Sequence, residues 1–223
     1  MKYATKFVLT ALSSAFLLSN LAHADAYVDE AKAIVAKATA RVTAWDGPTS
    51  GPKLAPNKSI VYIASDMTNG GVLGVRDGFE EAVKAAGWKL DTLDGKGSVK
   101  DQLAALNQAI AKKPDGIVIG GWNPNVAKRA LQKAKSNGIA LVAWHAMPKP
   151  GPLPEYDIFY NVTSDTDTVA RTAAMYAVAK SEGKAKVLIF TDSLYQIALD
   201  KANTMKATID KCTGCKVVEF IDT

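Results

Sequence analysis

Short apolar runs alternate with amphipathic stretches along most of this chain. Ile60 to Ala64 is almost wholly apolar, the pattern of a strand covered on both faces. Thr68-Asn69-Gly70-Gly71 then opens a helix with Val72, Val75, Phe79, Val83 and Ala86 on one side, and Gly87 ends it. Trp88 to Leu93 reads as a second strand, and Asp94 to Gly97 as a turn. Ser98 with Asp101 makes a capping-box-like start for a helix carrying Val99, Leu103, Leu106 and Ile110. Ile117 to Ile119 is the third strand. Asn123-Pro124 reads as an N-cap with proline at the first helical position, and Ile139 to Ala143 follows as the fourth strand. Strands alternating with helices at this spacing predict β-α-β units and a parallel sheet.

Met147 to Pro154 is rich in Pro and Gly and breaks the rhythm, which then resumes. Phe159 to Val162 is a strand, Asp165 to Lys180 a helix, Lys186 to Phe190 a strand, Ser193 to Lys211 a helix and Val217 to Ile221 a strand. The expected fold is α/β, with two doubly wound parallel-sheet lobes over residues 58–147 and 148–223. Two or three parallel strands leave apolar faces uncovered, so the second lobe is expected to be truncated.

The start of the chain has a different pattern. Lys2 and Lys6 precede an apolar run from Phe7 to Leu18, and Ala22-His23-Ala24 supplies small residues for cleavage. This order predicts a secretory signal peptide over residues 1–24, cut after Ala24. The apolar run is shorter than the ~20 residues that span a bilayer. In residues 25–57, Val28, Ala31, Ile34, Val35, Ala38 and Val42 predict an amphipathic helix from Tyr27 to Trp45, and Asp46 to Pro56 reads as a linker.

Charge and cysteines narrow the function. Removing Lys2 and Lys6 lowers the formal charge from +5 to +3, with basic residues scattered among acids, which gives no case for nucleic acid. Cys212 and Cys215 are the only cysteines. In an exported chain a close pair reads first as a disulfide. Their C-x-x-C spacing also fits a redox centre, but Cys-Thr-Gly-Cys sits at a helix-to-strand turn rather than where a strand enters a helix, which favours a structural staple. No nucleophile elbow, metal-ligand cluster or phosphate-binding loop is present, so no catalytic residue, metal site or cofactor is expected.

Four stretches carry a resemblance: Ile60-Val-Tyr-Ile-Ala-Ser-Asp, Gly78-Phe-Glu-Glu-Ala, Ala109-Ile-Ala-Lys-Lys-Pro-Asp-Gly-Ile-Val-Ile-Gly and Asn137-Gly-Ile-Ala-Leu-Val-Ala-Trp. In this order, behind a leader, they resemble the type I periplasmic solute-binding proteins, the group of the ribose- and galactose-binding proteins. LacI-type repressors share these lobes but begin with a DNA-reading helix-turn-helix and no leader. The resemblance implies a periplasmic monomer that holds a small molecule, most simply a sugar or sugar-like polyol, in a cleft between lobes. It implies an ABC transporter permease as partner. A receptor serving a chemoreceptor or sensor kinase, or one for a non-sugar solute, fits the same residues.

In open parallel sheets, ligands bind beyond the carboxyl ends of the strands. That rule selects Asp66, Met67 and Asn69 after the first strand, Asp94 after the second, Trp122 and Asn123 after the third, and Trp144 and His145 after the fourth. Asp165, Asp192 and Tyr195 occupy equivalent positions in the second lobe. Carboxylates and carboxamides suit paired hydroxyls, and the indoles offer flat faces for stacking. Asp94 serves equally to shape its turn, Asn123 to cap its helix, and Trp144 to fill the core. Sugar-binding relatives often place Asp or Asp-Arg where this chain has Trp122-Asn123 and Trp144-His145. No arginine falls in these loops.

Overall fold

The structure is a computed structural model and describes residues 26–223. The expected leader and its cleavage site lie outside the described residues. The described chain opens with helix α1 (26–38). It then divides into two compact units. One comprises Asp46–Thr166 and Asp192–Asp200; the other combines residues 26–45 with Asp167–Thr191 and Lys201–Thr223.

The first unit is built on a six-stranded sheet of β1 (Ser59–Ala64), β2 (Lys89–Asp94), β3 (Gly116–Gly120), β4 (Ala140–Trp144), β5 (Gly151–Leu153) and β6 (Ile158–Val162). The spatial order is β2-β1-β3-β4-β6-β5, parallel except for the short antiparallel edge strand β5. Helices α2 (Gly70–Ala85), α3 (Val99–Ala111) and α4 (Lys128–Ser136) connect the strands. Successive strand residues point to opposite faces, and the sequence uses both. Val61, Ile63, Ile117, Ile119 and Leu141 pack with Leu106 and Ile110 of α3 and Leu131 of α4. On the other face Tyr62, Ala64 and Val118 pack with Val72 and Phe79 of α2. The helix starts are fixed by side chains: Asn69 Oδ1 accepts from the N–H groups of Gly71 and Val72, and Ser98 Oγ accepts from that of Asp101.

The second unit holds α5 (Thr166–Lys180), β7 (Lys186–Thr191), the part of α6 (Gln196–Ile209) from Lys201 onward and β8 (Lys216–Asp222), while Gln196–Asp200 of α6 and Thr166 count with the first unit. Its two strands are parallel. Helix α1 belongs to this core. Val28 and Ala31 are buried with Met175 and Val178 of α5 and Ile209 of α6. Tyr27 donates its hydroxyl to the Thr208 carbonyl at 2.7 Å, and ion pairs join Lys32 to Glu182 and Glu30 to Arg171. Cys212 and Cys215 form a disulfide that closes the turn between α6 and β8. Leu188, Phe190 and Val218 are largely exposed.

Three expectations change. The strand placed in the second lobe, Phe159–Val162, is β6 and pairs with β4 in the first sheet. Its register is locked by Asn161, fully buried, which accepts from the Ala146 N–H and donates to the carbonyls of Met147 and Lys149. The Pro/Gly-rich break contains β5, a three-residue strand where Pro152 is tolerated at the sheet edge. Helix α1 stops at residue 38 rather than reaching Trp45, where the apolar stripe loses its partners and Val42 and Trp45 are exposed. Among the described residues no helix is long and apolar enough to cross a membrane.

Candidate functional site

The sheet order reverses between β1 and β3, because β2 lies to one side and β3 to the other. Loops leaving these strands diverge and open a crevice at their carboxyl ends. Gly95 N–H donates to the Ala64 carbonyl and Gly97 N–H to that of Ser65, which draws the β2–α3 turn against the end of β1. A Cβ on Gly95 would lie 2.6 Å from the Ala64 carbonyl oxygen, so only glycine permits this approach. Gly121 takes a φ of +82° and turns the chain out of β3.

A cleft of about 70 Å³ lies at this point, within the first unit. It is lined by Gly97, Val99 and Gln102 from the β2–α3 turn and α3, by Gly121, Trp122, Asn123 and Val126 after β3, by His145 and Ala146 after β4, and by Leu194, Tyr195, Gln196 and Ile197 from the β7–α6 turn and α6. Four of the residues selected from the sequence line it: Trp122, Asn123, His145 and Tyr195.

Their roles differ. Trp122 is buried, and its indole N–H donates to the Ile63 carbonyl at 3.1 Å. It is chiefly a wall of the core that shows one edge to the cleft. Asn123 Oδ1 accepts from the Asn125 N–H and caps the short 3-10 turn Pro124–Ala127. His145 has a φ of +50°, and its Nδ1 lies 2.7 Å from the Thr163 hydroxyl. Its ring stacks on Trp144, with centroids 5.4 Å apart. Tyr195 is held near Asp66, Ser65 and Asn69. Burial, then the Asp66 charge, raises its hydroxyl above the ordinary value, and the Ser65 and Asn69 side chains oppose the shift. Ser65 Oγ is buried and meets no partner at hydrogen-bonding geometry, so its approach to Tyr195 is a contact rather than a bond.

The remaining selected residues do not line the cleft. Asp66 Oδ1 accepts from the N–H and hydroxyl of Thr68. Asp94 Oδ1 accepts from the N–H groups of Met67 and Lys96, tying two loops together. Asp192 Oδ1 accepts from the Leu194 N–H, shaping the turn that presents Tyr195. Asp165 pairs with Lys149 at 2.7 Å. Asn69 caps α2, Met67 packs against the cluster of Tyr62, Ala64, Val72 and Val118, and Trp144 packs at the same cluster with a ring edge against Gly121. Among the described residues no group of His, Cys, Asp or Glu side chains is placed to hold a metal ion.

Sequence reasoning missed Val99, Gln102, Val126, Leu194, Gln196 and Ile197. Val99 opens α3 and Gln196 opens α6. In a β-α unit the first helical turn lies beside the strand's carboxyl end, so the rule used for the loops reaches these positions when extended by one turn.

A family model described as a periplasmic binding protein domain matches residues 60–223. No curated protein matches the chain. Among solved structures it is similar to GanP, a glucose-galactose binding protein from Geobacillus stearothermophilus, at 19% identity and a TM-score of 0.64. That match covers 75% of this chain and 59% of GanP. It is also similar to an ABC transporter solute binding protein from Burkholderia graminis C4D1M in complex with D-arabinose, at 20% identity and a TM-score of 0.65. There it covers 74% of this chain and 56% of the other. For AraP, an arabinose binding protein from Geobacillus stearothermophilus, the values are 21%, 0.59, 75% and 57%. The chain thus spans somewhat more than half the length of these proteins. At such identities the likeness establishes the fold, while the family match covers most of the chain. The family is one of substrate-binding proteins and not of enzymes. The chain belongs to the periplasmic binding protein family and has its type I α/β fold.

Proposed function

We propose that the protein captures a sugar or sugar-like polyol in the β1–β3 cleft and delivers it to the permease of an ABC transporter. The observation that carries this reading is the cleft's position at the sheet's topological switch point, in a chain of the periplasmic binding protein family. Asn123, His145 and Tyr195 supply donors and acceptors for ligand hydroxyls, and Asn69 and Asp66 stand behind Tyr195. Solved proteins with the same fold include a glucose-galactose binding protein and an arabinose binding protein, which supports the sugar class. The working form is an exported monomer in the periplasm, freed of its leader after Ala24.

The test is titration calorimetry of the full-length protein against neutral sugars and polyols. Saturable heat from at least one, weakened by Asn123→Ala, is the expected result. No heat from any of them refutes the sugar reading. For delivery, loss of the gene should abolish uptake of the sugar that titrates. Normal uptake with loss of a chemotactic or transcriptional response would assign the protein to sensing instead.

A further inference from the structure

We infer that the Cys212–Cys215 disulfide is a redox latch for helix α1: in the oxidised chain it keeps α1 seated on its unit, and its reduction loosens the helix. Tyr27 bonds to the Thr208 carbonyl near the end of α6, Lys32 pairs with Glu182, and Val28 lies against Gly183. These contacts of α1 fall on two segments, the α5–β7 turn and the end of α6. The disulfide closes the turn that joins that end of α6 to β8.

The two turns are pressed together. A Cβ on Gly214 would collide with the Gly183 carbonyl oxygen, and Cys212 Sγ lies 3.4 Å from that oxygen. On its other side Gly183 has no room either: a Cβ there would lie 2.8 Å from Val28 Cγ2. Cys212 is buried in one cluster with Val28, Ala31, Met175, Val178 and Ile209. Two unbonded sulfurs cannot stay at bonding distance, so reduction widens the Cys212–Cys215 turn. In a close-packed interior that displacement passes to Gly183 and from there to Val28. Helix α1 is the element that yields. Residues 39–45 behind it are exposed, and its pairs Lys32–Glu182 and Glu30–Arg171 are exposed ion pairs of little worth.

The switching step is exchange with a dithiol. A thiolate of the dithiol attacks Cys215 Sγ, the less buried sulfur, and Cys212 leaves as a thiolate that takes up a proton. The second thiol of the reductant then displaces Cys215 from the mixed disulfide. Two electrons and two protons pass to the protein, and the reductant leaves as a cyclic disulfide.

The experiment is hydrogen exchange read by mass spectrometry on the full-length protein, oxidised and in excess dithiothreitol, with reduction checked by the mass gain of two hydrogens. Exchange over residues 26–38 should quicken at least about tenfold on reduction, while Met175–Ala179 and β7 change by less than about threefold. A Cys212→Ala, Cys215→Ala double variant should show the reduced pattern without reductant and no response to it; if that variant does not fold, reduced wild type decides. Unchanged exchange of residues 26–38 overturns the inference. So does an equal rise through α1, α5 and β7, which would make the disulfide a general staple of the unit. A disulfide that dithiothreitol leaves intact in the folded protein overturns it as well.

Discussion

Trp122→Phe separates a structural wall from a ligand contact. Trp122 is 4% exposed, and its indole N–H reaches the Ile63 carbonyl of β1. Phenylalanine keeps an aromatic ring but removes the donor, at about 1 kcal/mol for the lost hydrogen bond. The missing ring atoms leave unfilled volume, worth about 1–2 kcal/mol more. The sum is about 2–3 kcal/mol, or roughly 5–10 °C in the melting of the six-stranded unit. Far-UV circular dichroism during urea unfolding should show a lower midpoint at unchanged slope, since the surface exposed on unfolding is nearly the same. Affinity for whichever sugar titrates should fall by less than about threefold, equivalent to some 0.6 kcal/mol. Wild-type stability with affinity lost tenfold or more would refute the reasoning, because it would make Trp122 a stacking platform rather than a core residue.

Tyr62→Phe should raise stability by about 1 kcal/mol, because the buried Tyr62 hydroxyl has no hydrogen-bond partner to lose. Burial pushes that hydroxyl up to about 12, so its contribution is full below pH 10 and lost as pH rises through 12; the variant should flatten this alkaline loss in pH-dependent melts. Asp115 is held down to about 2 by bonds from Lys58 Nζ and from the N–H and hydroxyl of Ser59. Its contribution is present above the usual carboxylate value and lost as pH falls from about 4 towards 2, so Asp115→Asn should remove that part of the acid slope. Ala31→Glu puts a charge at a fully buried position and should cost about 3 kcal/mol or more. Hydrogen exchange should then rise through residues 26–38 and stay unchanged in β1 and β3; unchanged protection of α1 would count against its docking.

Much of the fold was legible because local pattern and tertiary demand agree. Ile60 to Ala64 is apolar on both faces, and the structure fills both, with Val61 and Ile63 on one side and Tyr62 and Ala64 on the other. Partner choice was less legible. Phe159 to Val162 reads as a strand, but nothing in four residues says which sheet it joins; that is decided by Asn161 holding the chain at Ala146, Met147 and Lys149. A polar residue in an apolar run was the available signal. At the site, the strand-end rule found the right loops but not the direction of their side chains. Trp122 follows β3 and Trp144 ends β4, yet the turn at Gly121 sends one indole to the Ile63 carbonyl, and the other stacks on His145. Asp94 and Asp192 have the chemistry of sugar ligands, and backbone N–H groups claim them first.

The seating of α1 has a consequence for the order of events during synthesis. Tyr27 bonds to Thr208, 181 residues further along, and Val28 and Ala31 pack with residues between Met175 and Cys212. At about 5–20 residues per second, the first helix waits roughly 10–40 s for its partners. All six strands of the other unit have emerged by Val162, well before that wait ends. The sheet can therefore assemble while α1 still has its apolar side in water or on a chaperone. Closing so long a loop adds only slowly growing entropy but a late step in time. Helix α1, made before any of the six strands, completes the unit that folds last.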